Sequence, residues 1–146
     1  MPRKEVVSII GGSMAGLFAA ISLRAQGFIV NLYERSSSSL ESRGAGIATH
    51  GELKNIAKFV GKEFSGRSGI ISTERQLLNL SGVATHKNKI EQTMSSWGLI
   101  YRFLKKSISE REYHPNHKFL DVKEKNSTTL ILRFENGKEL ETNWLI

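Results

Sequence analysis

Apolar and polar positions alternate most informatively in the first third of the chain. Glu5 to Ile10 is a short, mostly apolar, β-branched run, the pattern of a parallel strand buried on both faces. A glycine-rich stretch follows, Gly11-Gly12-Ser13-Met14-Ala15-Gly16. From about Met14 to Gln26 the spacing predicts a helix. Leu17, Phe18, Ile21 and Leu23 supply its bulk, Ala15, Ala19 and Ala20 let it approach a sheet closely, and Gly27 is a natural stop. Phe28 to Tyr33 reads as a second strand. The whole is a βαβ unit, whose crossover is expected to be right-handed.

The pattern is weaker beyond it. Ser36 to Ser39 reads as a flexible surface loop. Thr49-His50-Gly51-Glu52 has the form of a capping box with Thr49 as N-cap and His50 as a loop residue. Leu53, Ile56, Ala57 and Val60 then share one helical face, ended by Gly61. Residues 62–93 read as an excursion into a second sheet. Gly66 to Ser72 and Gln76 to Leu80 would be two short strands around Thr73-Glu74-Arg75, Ser81-Gly82 a turn, and Thr85 to Lys89 a loop. Ser95-Ser96 opens a helix on which Trp97, Ile100, Tyr101, Leu104 and Ile108 form a core-facing stripe. Glu110 to His117, with Pro115, is a connection. Three strands are expected at Phe119 to Lys123, Thr128 to Phe134 and Lys138 to Glu141, with Glu135-Asn136-Gly137 as a hairpin turn. Asn143 to Ile146 starts a further apolar strand.

Composition narrows the function. The 146 residues suffice for a domain with a real core, and the absence of cysteine excludes disulfides and thiolate chemistry. The net charge of +7 comes from 21 basic and 14 acidic residues spread along the chain rather than in blocks. That argues against nucleic acid and for an anionic cofactor or substrate. No apolar run reaches the length of a membrane span, and the charged start is no signal peptide, so a cytoplasmic protein without membrane contact is expected.

The chemistry sits in the glycine-rich turn. A strand, such a turn and a helix bring backbone N–H groups to a phosphate at the helix N-terminus. Glu34 follows Gly11 at roughly the twenty-residue distance expected of the carboxylate that binds an adenosine ribose. The usual Gly-x-Gly-x-x-Gly is here Gly11-x-Ser13-x-x-Gly16. Farther on, Arg43-Gly44-Ala45-Gly46-Ile47 implies backbone passing close to a ligand, with an arginine suited to phosphate.

The turn, Leu32-Tyr33-Glu34-Arg35-Ser36, Gly44-Ala45-Gly46-Ile47 and the helix from Trp97 followed by a β meander occur in fixed order. Together they resemble the FAD-dependent aromatic hydroxylases, the single-component flavin monooxygenases, and within them the 2,6-dihydroxypyridine 3-monooxygenase branch. The resemblance implies an α/β fold: a Rossmann-like FAD/NAD(P)-binding three-layer core with an antiparallel meander and the start of a substrate-domain excursion. It makes residues 1–146 the N-terminal part of the FAD-binding domain. Gly11, Gly12, Ser13, Met14, Ala15 and Gly16 would hold the FAD pyrophosphate, with the Ser13 hydroxyl as a donor. Glu34 would bind the ribose and Arg35 lie beside the adenine. Arg43 would reach the pyrophosphate or the flavin side, and Gly46 and Ile47 would pass the isoalloxazine. Trp97 would stack on or shield the cofactor where the family often has Arg or Gln, with Arg102 as a substitute only if it faces that way. The backbone at Leu120 would flank the adenine. NAD(P)H would be the reductant and a small aromatic or heteroaromatic molecule the substrate.

The family continues its strand after Ile146 into Gly-Ala-Asp-Gly and later a Gly-Asp motif. A truncated or split enzyme, inactive alone, is therefore the expectation, and no catalytic base is assignable. Uncovered sheet or helix surface would then favour association. The alternative is a non-catalytic remnant that binds an adenine nucleotide weakly or with a partner. A simple NAD-dependent dehydrogenase domain fits the later glycines less well.

Overall fold

The structure is a computed structural model that describes residues 5–41, 44, 46–49, 55, 57–58 and 69–146. It divides into two compact units, residues 1–42 with 101–146, and residues 43–100.

The first unit is built on a parallel sheet. Strand β1 (Val6–Ile10) leads through the glycine turn into α1 (Met14–Ala25), which returns to β2 (Ile29–Tyr33). β1 and β2 pair in parallel from Val6↔Ile29 to Ile10↔Tyr33, as the apolar runs predict. α1 buries Leu17, Ala20 and Ile21 and ends where Gly27 takes a positive φ of 93°. Its last-turn Arg24 reaches both Glu112 carboxylate oxygens at 3.0 and 3.3 Å and the Ser107 carbonyl at 2.7 Å.

Tyr113–His114 corrects the reading of 110–117 as plain connection. These two residues form a parallel strand beside β2. Two residues are too few to show a period, and only the main-chain bonds to β2 define them. The meander then runs Phe119–Asn126, Thr129–Phe134 and Glu139–Thr142, close to expectation. Trp144–Leu145 joins the other side of β1 in parallel, giving the order Trp144–Leu145, β1, β2, Tyr113–His114.

The sheet separates two layers. A side chain added at Gly16 of α1 would meet Ile9, so Ile9 faces the helix. Ile10, its neighbour, points to the opposite face. There it joins Tyr33, Leu132, Phe134, Phe119, Leu140 and Leu145. Helix, parallel sheet and meander thus form the three layers expected. Aromatic rings fill the seam: Tyr33 lies 4.9 Å from His114, nearly parallel, and 4.9 Å from Phe134, while His117 meets Phe134 edge-on at 5.3 Å.

The second unit departs further from the sequence reading. Gly46–Thr49, Ile70–Leu78 and Ala84–Ser96 make an antiparallel sheet with the last strand in the middle. Thr73-Glu74-Arg75 is not a break between two strands but lies within Ile70–Leu78, at a register shift between Ser72 and Glu74. Thr85 to Lys89 is strand, not loop. This ribbon is exposed on both faces, so no apolar alternation marks it, and main-chain pairing alone decides it. The turn carries Gly82 at φ 77°, as expected of Ser81-Gly82. Thr49 ends the first strand of this sheet, and its hydroxyl donates to the Thr93 carbonyl at 3.1 Å. The remainder of the capping box and most of the helix after it lie outside the described residues, though Asn55, Ala57 and Lys58 are helical. Helix α2 (Trp97–Lys105) follows, its Leu99 N–H donating to the Ser96 hydroxyl at 3.2 Å. Of the predicted stripe, Ile100, Tyr101, Leu104 and Ile108 are buried, and Trp97 is half-buried. Among the described residues no helix is long and apolar enough to cross a membrane.

A pH dependence follows from the aromatic seam. Burial, then His117 and Lys138 nearby, hold the His114 imidazole below its ordinary value. The unfolded chain therefore takes up the proton first. Its contribution to stability is full above the unfolded value of about 6.5 and is lost as pH falls through the folded one. Denaturant midpoints are expected to drop between about pH 7.5 and about pH 5.5. The drop should be smaller in His114→Phe, and an equal drop would place the titrating group elsewhere.

Candidate functional site

In the first unit the chain leaves β1 through a turn in which each glycine has its own reason. Gly11 adopts φ 108°, a conformation that side chains resist. A Cβ on Gly12 would lie 2.3 Å from the Tyr113 hydroxyl and 2.7 Å from the Glu34 Cβ. A Cβ on Gly16 would lie only 1.9 Å from the Gly11 carbonyl oxygen. Ser13 carries no such restriction. It is exposed, begins α1 with an extended backbone, and makes no side-chain cap hydrogen bond. Its substitution for the usual glycine therefore costs the turn nothing, and its hydroxyl is available to a ligand. Met14 and Ala15 lie in the first helical turn, which contains no acidic residue. The N–H groups of that turn have no partner within the helix.

Glu34 closes the turn from the end of β2. One carboxylate oxygen accepts the Gly12 N–H at 2.8 Å and the other the Ser36 N–H at 2.8 Å. The residue is 6% exposed. Each oxygen keeps a second lone pair, so this bonding is compatible with ribose hydroxyls. The Glu34 main chain is held as well, its N–H by the His114 carbonyl and its carbonyl by the His117 N–H, both at 2.9 Å. Arg35 beside it is exposed. The segment bonded to Glu34 runs on to Leu120, which is 56% exposed. Leu120 is the extra residue between the pairs Phe119↔Phe134 and Asp121↔Arg133, a bulge of the kind that re-aims side chains near binding sites. The fold thus brings the turn, Glu34, Arg35 and Leu120 into one unit.

In the second unit, Gly46 and Ile47 pair with Ser96 and Ser95. Gly44 has φ 134°, and a Cβ there would lie 2.6 Å from Trp97. The glycine segment and the half-buried Trp97, far apart in sequence, are therefore neighbours. Arg43 lies outside the described residues. Arg102 belongs to the first unit and is 3.9 Å from Glu41, so an ion pair with the loop after β2 occupies it.

Sequence reasoning missed Tyr113. Its hydroxyl donates to the Gly12 carbonyl and lies near the Tyr101 hydroxyl, both at 3.4 Å, and the Lys105 ammonium sits 3.8 Å above its ring. Burial pushes the Tyr113 phenol well above its ordinary value, with Tyr101 and Glu34 adding to it. Burial lowers Lys105, opposed by Glu110. Tyr113 also walls a cavity of about 430 Å³ with Ser37, Ser38, Ser39, Tyr101 and Lys105. The serines read as a featureless loop are thus one wall of a pocket. A tyrosine in an irregular segment carries no periodic signal that could have marked it.

No family model matches the chain. It is 31% identical over 145 residues to 2,6-dihydroxypyridine 3-monooxygenase of Paenarthrobacter nicotinovorans, covering 99% of this chain and 36% of that protein. The solved structure of 2,6-dihydroxypyridine-3-hydroxylase from Arthrobacter nicotinovorans matches with a TM-score of 0.84 at 28% identity, over 99% of this chain and 37% of the other. Klebsiella pneumoniae HpxO, complexed with FAD and uric acid, shares the fold at a TM-score of 0.78 and 14% identity, over 97% of this chain and 38% of that one. The chain spans little more than a third of these proteins, their N-terminal portion.

The crowding at Gly16 is directly testable. Gly16→Ala must displace the Gly11 carbonyl, and a loss of about 1–3 kcal/mol is expected from denaturant unfolding. Ser13→Ala is expected to leave the midpoint unchanged.

Proposed function

We propose that this chain holds the ADP half of FAD in an NAD(P)H-dependent monooxygenase acting on an aromatic or heteroaromatic substrate. The observation that supports it is the glycine turn at an uncapped helix N-terminus, with the buried Glu34 carboxylate fastened to Gly12. Similarity to the dihydroxypyridine hydroxylases points the same way. When bound, FAD supplies the redox chemistry, and the protein positions it and excludes water.

On this reading the α1 N-terminus and the Ser13 hydroxyl meet the pyrophosphate, because a helix N-terminus favours an anion. Glu34 accepts the ribose hydroxyls, and Arg35 and the bulge at Leu120 flank the adenine. Arg43, Gly46, Ile47 and Trp97 are the residues that the resemblance assigns to the rest of the cofactor. The substrate and the nicotinamide reductant belong to the whole enzyme, since the match covers only part of the relatives' length.

The other reading is an adenine-nucleotide binder without catalysis. It is favoured by one feature: the ADP-binding residues of the first unit form a set of their own. Titration of the chain with FAD and with ADP separates the two. FAD binding more tightly than ADP, with a visible flavin band on the purified protein, supports the flavoprotein. Equal affinities favour the nucleotide binder, and binding of neither refutes both.

Variants sharpen this. Glu34→Ala removes a charged acceptor and should weaken FAD by about 1.5–3 kcal/mol. It should also lower stability, because the buried Gly12 N–H and the part-buried Ser36 N–H lose their acceptor. Ser13→Ala is the cleaner probe, with affinity falling by about 0.5–1.5 kcal/mol at constant stability. Unchanged affinity would remove Ser13 from the phosphate contact.

A further inference from the structure

The Gly11–Gly12 peptide is fixed from both sides, and the Gly12–Ser13 peptide is held at its carbonyl. In the first, the Gly12 N–H points to Glu34 at 2.8 Å. Its carbonyl, Gly11 O, faces α1 at the spot where a Gly16 Cβ would stand. In the second, the Gly12 carbonyl faces the Tyr113 hydroxyl at 3.4 Å. A trans peptide points its carbonyl and its N–H in opposite directions. The Ser13 N–H, on the same peptide, is therefore turned away from Tyr113, toward the exposed side of the turn.

We infer that Tyr113 is a positioning residue, whose phenol pins the Gly12 carbonyl and so aims the Ser13 N–H at the phosphate of a bound dinucleotide. This rests on the reading that the turn binds an adenine dinucleotide. Tyr113 suits the task because its own position is fixed on several sides. Its backbone pairs with Leu32 of β2. The buried Tyr101 brings its hydroxyl to 3.4 Å, and the Lys105 ammonium covers the ring at 3.8 Å. A hydroxyl has one hydrogen. With that of Tyr113 on Gly12, the hydrogen between the two phenols comes from Tyr101. Tyr101 thus orients Tyr113, and Tyr113 orients the turn. The elevated phenol value keeps the donor protonated throughout the neutral range. The absence of a Cβ on Gly12 is what lets the hydroxyl come so close.

Tyr113→Phe removes one oxygen and keeps the ring, its strand and the lysine contact. Calorimetric titration of the full chain with ADP and with adenosine tests the role. The variant is expected to lose roughly three- to tenfold in ADP affinity while adenosine is unaffected. Equal losses on both ligands would mean a merely structural role, and no loss on either would overturn the proposal. The amide resonance of Ser13 gives a second measurement. In the free protein it should shift in Tyr113→Phe, and its further shift on ADP addition should shrink. A Ser13 amide indifferent to the substitution would sink the proposal even with ADP affinity changed. If the unsubstituted chain binds neither ligand, the dinucleotide reading fails and the aiming role with it. The free-protein resonance would then still report whether Tyr113 sets the peptide.

Discussion

The buried carboxylate of Glu34 organises the first unit. A charge removed from water is tolerated when hydrogen bonds compensate its lost hydration. Here two backbone N–H groups supply them, one from the glycine turn and one from the residue two places on. Because Gly12 and Ser36 belong to different connections, a single side chain ties the exit of β1 to the exit of β2. The same bonds cancel part of the desolvation cost and leave a second lone pair on each oxygen. On the proposed reading, structure and ligand chemistry depend on this one group, so its removal would act on both.

Around this tie the glycines divide the work. Backbone conformation demands Gly11, the approach of Tyr113 and Glu34 demands Gly12, and the packing of α1 on the turn demands Gly16. Only position 13 is free of internal demands, and only there does the sequence depart from the usual dinucleotide pattern. The departure is thus no damage to the fold. It exchanges a backbone surface for a hydroxyl at the place where a phosphate is expected.

The second unit obeys a different logic. Its long ribbon leaves Ile70, Ile71, Leu77 and Leu78 exposed, and polar residues occupy both faces. Little burial supports it, so its strands are defined by main-chain pairing. Close packing appears where Gly44 gives way to Trp97. That contact turns a glycine motif and an aromatic residue far along the chain into neighbours.

The sequence by itself determined the βαβ unit, the core stripe of α2 and the meander, because a central strand buried on both faces reads as an apolar run and an element with one buried face writes its period into the apolar positions. It also located the turn and Glu34, whose spacing follows from the length of one helix and one strand. Only the tertiary structure decided the rest. Tyr113–His114 is a strand because β2 lies alongside, and Thr85 to Lys89 is a strand because Ile70–Leu78 does. The first is too short to show a period, and the second has no buried face to leave a mark. Leu120 became a bulge through register with Phe134 and Arg133, and Tyr113 became the wall behind Gly12 through a contact spanning most of the chain. Long-range contacts of this kind have no local signature, since the residues that make them are set by the packing of distant elements.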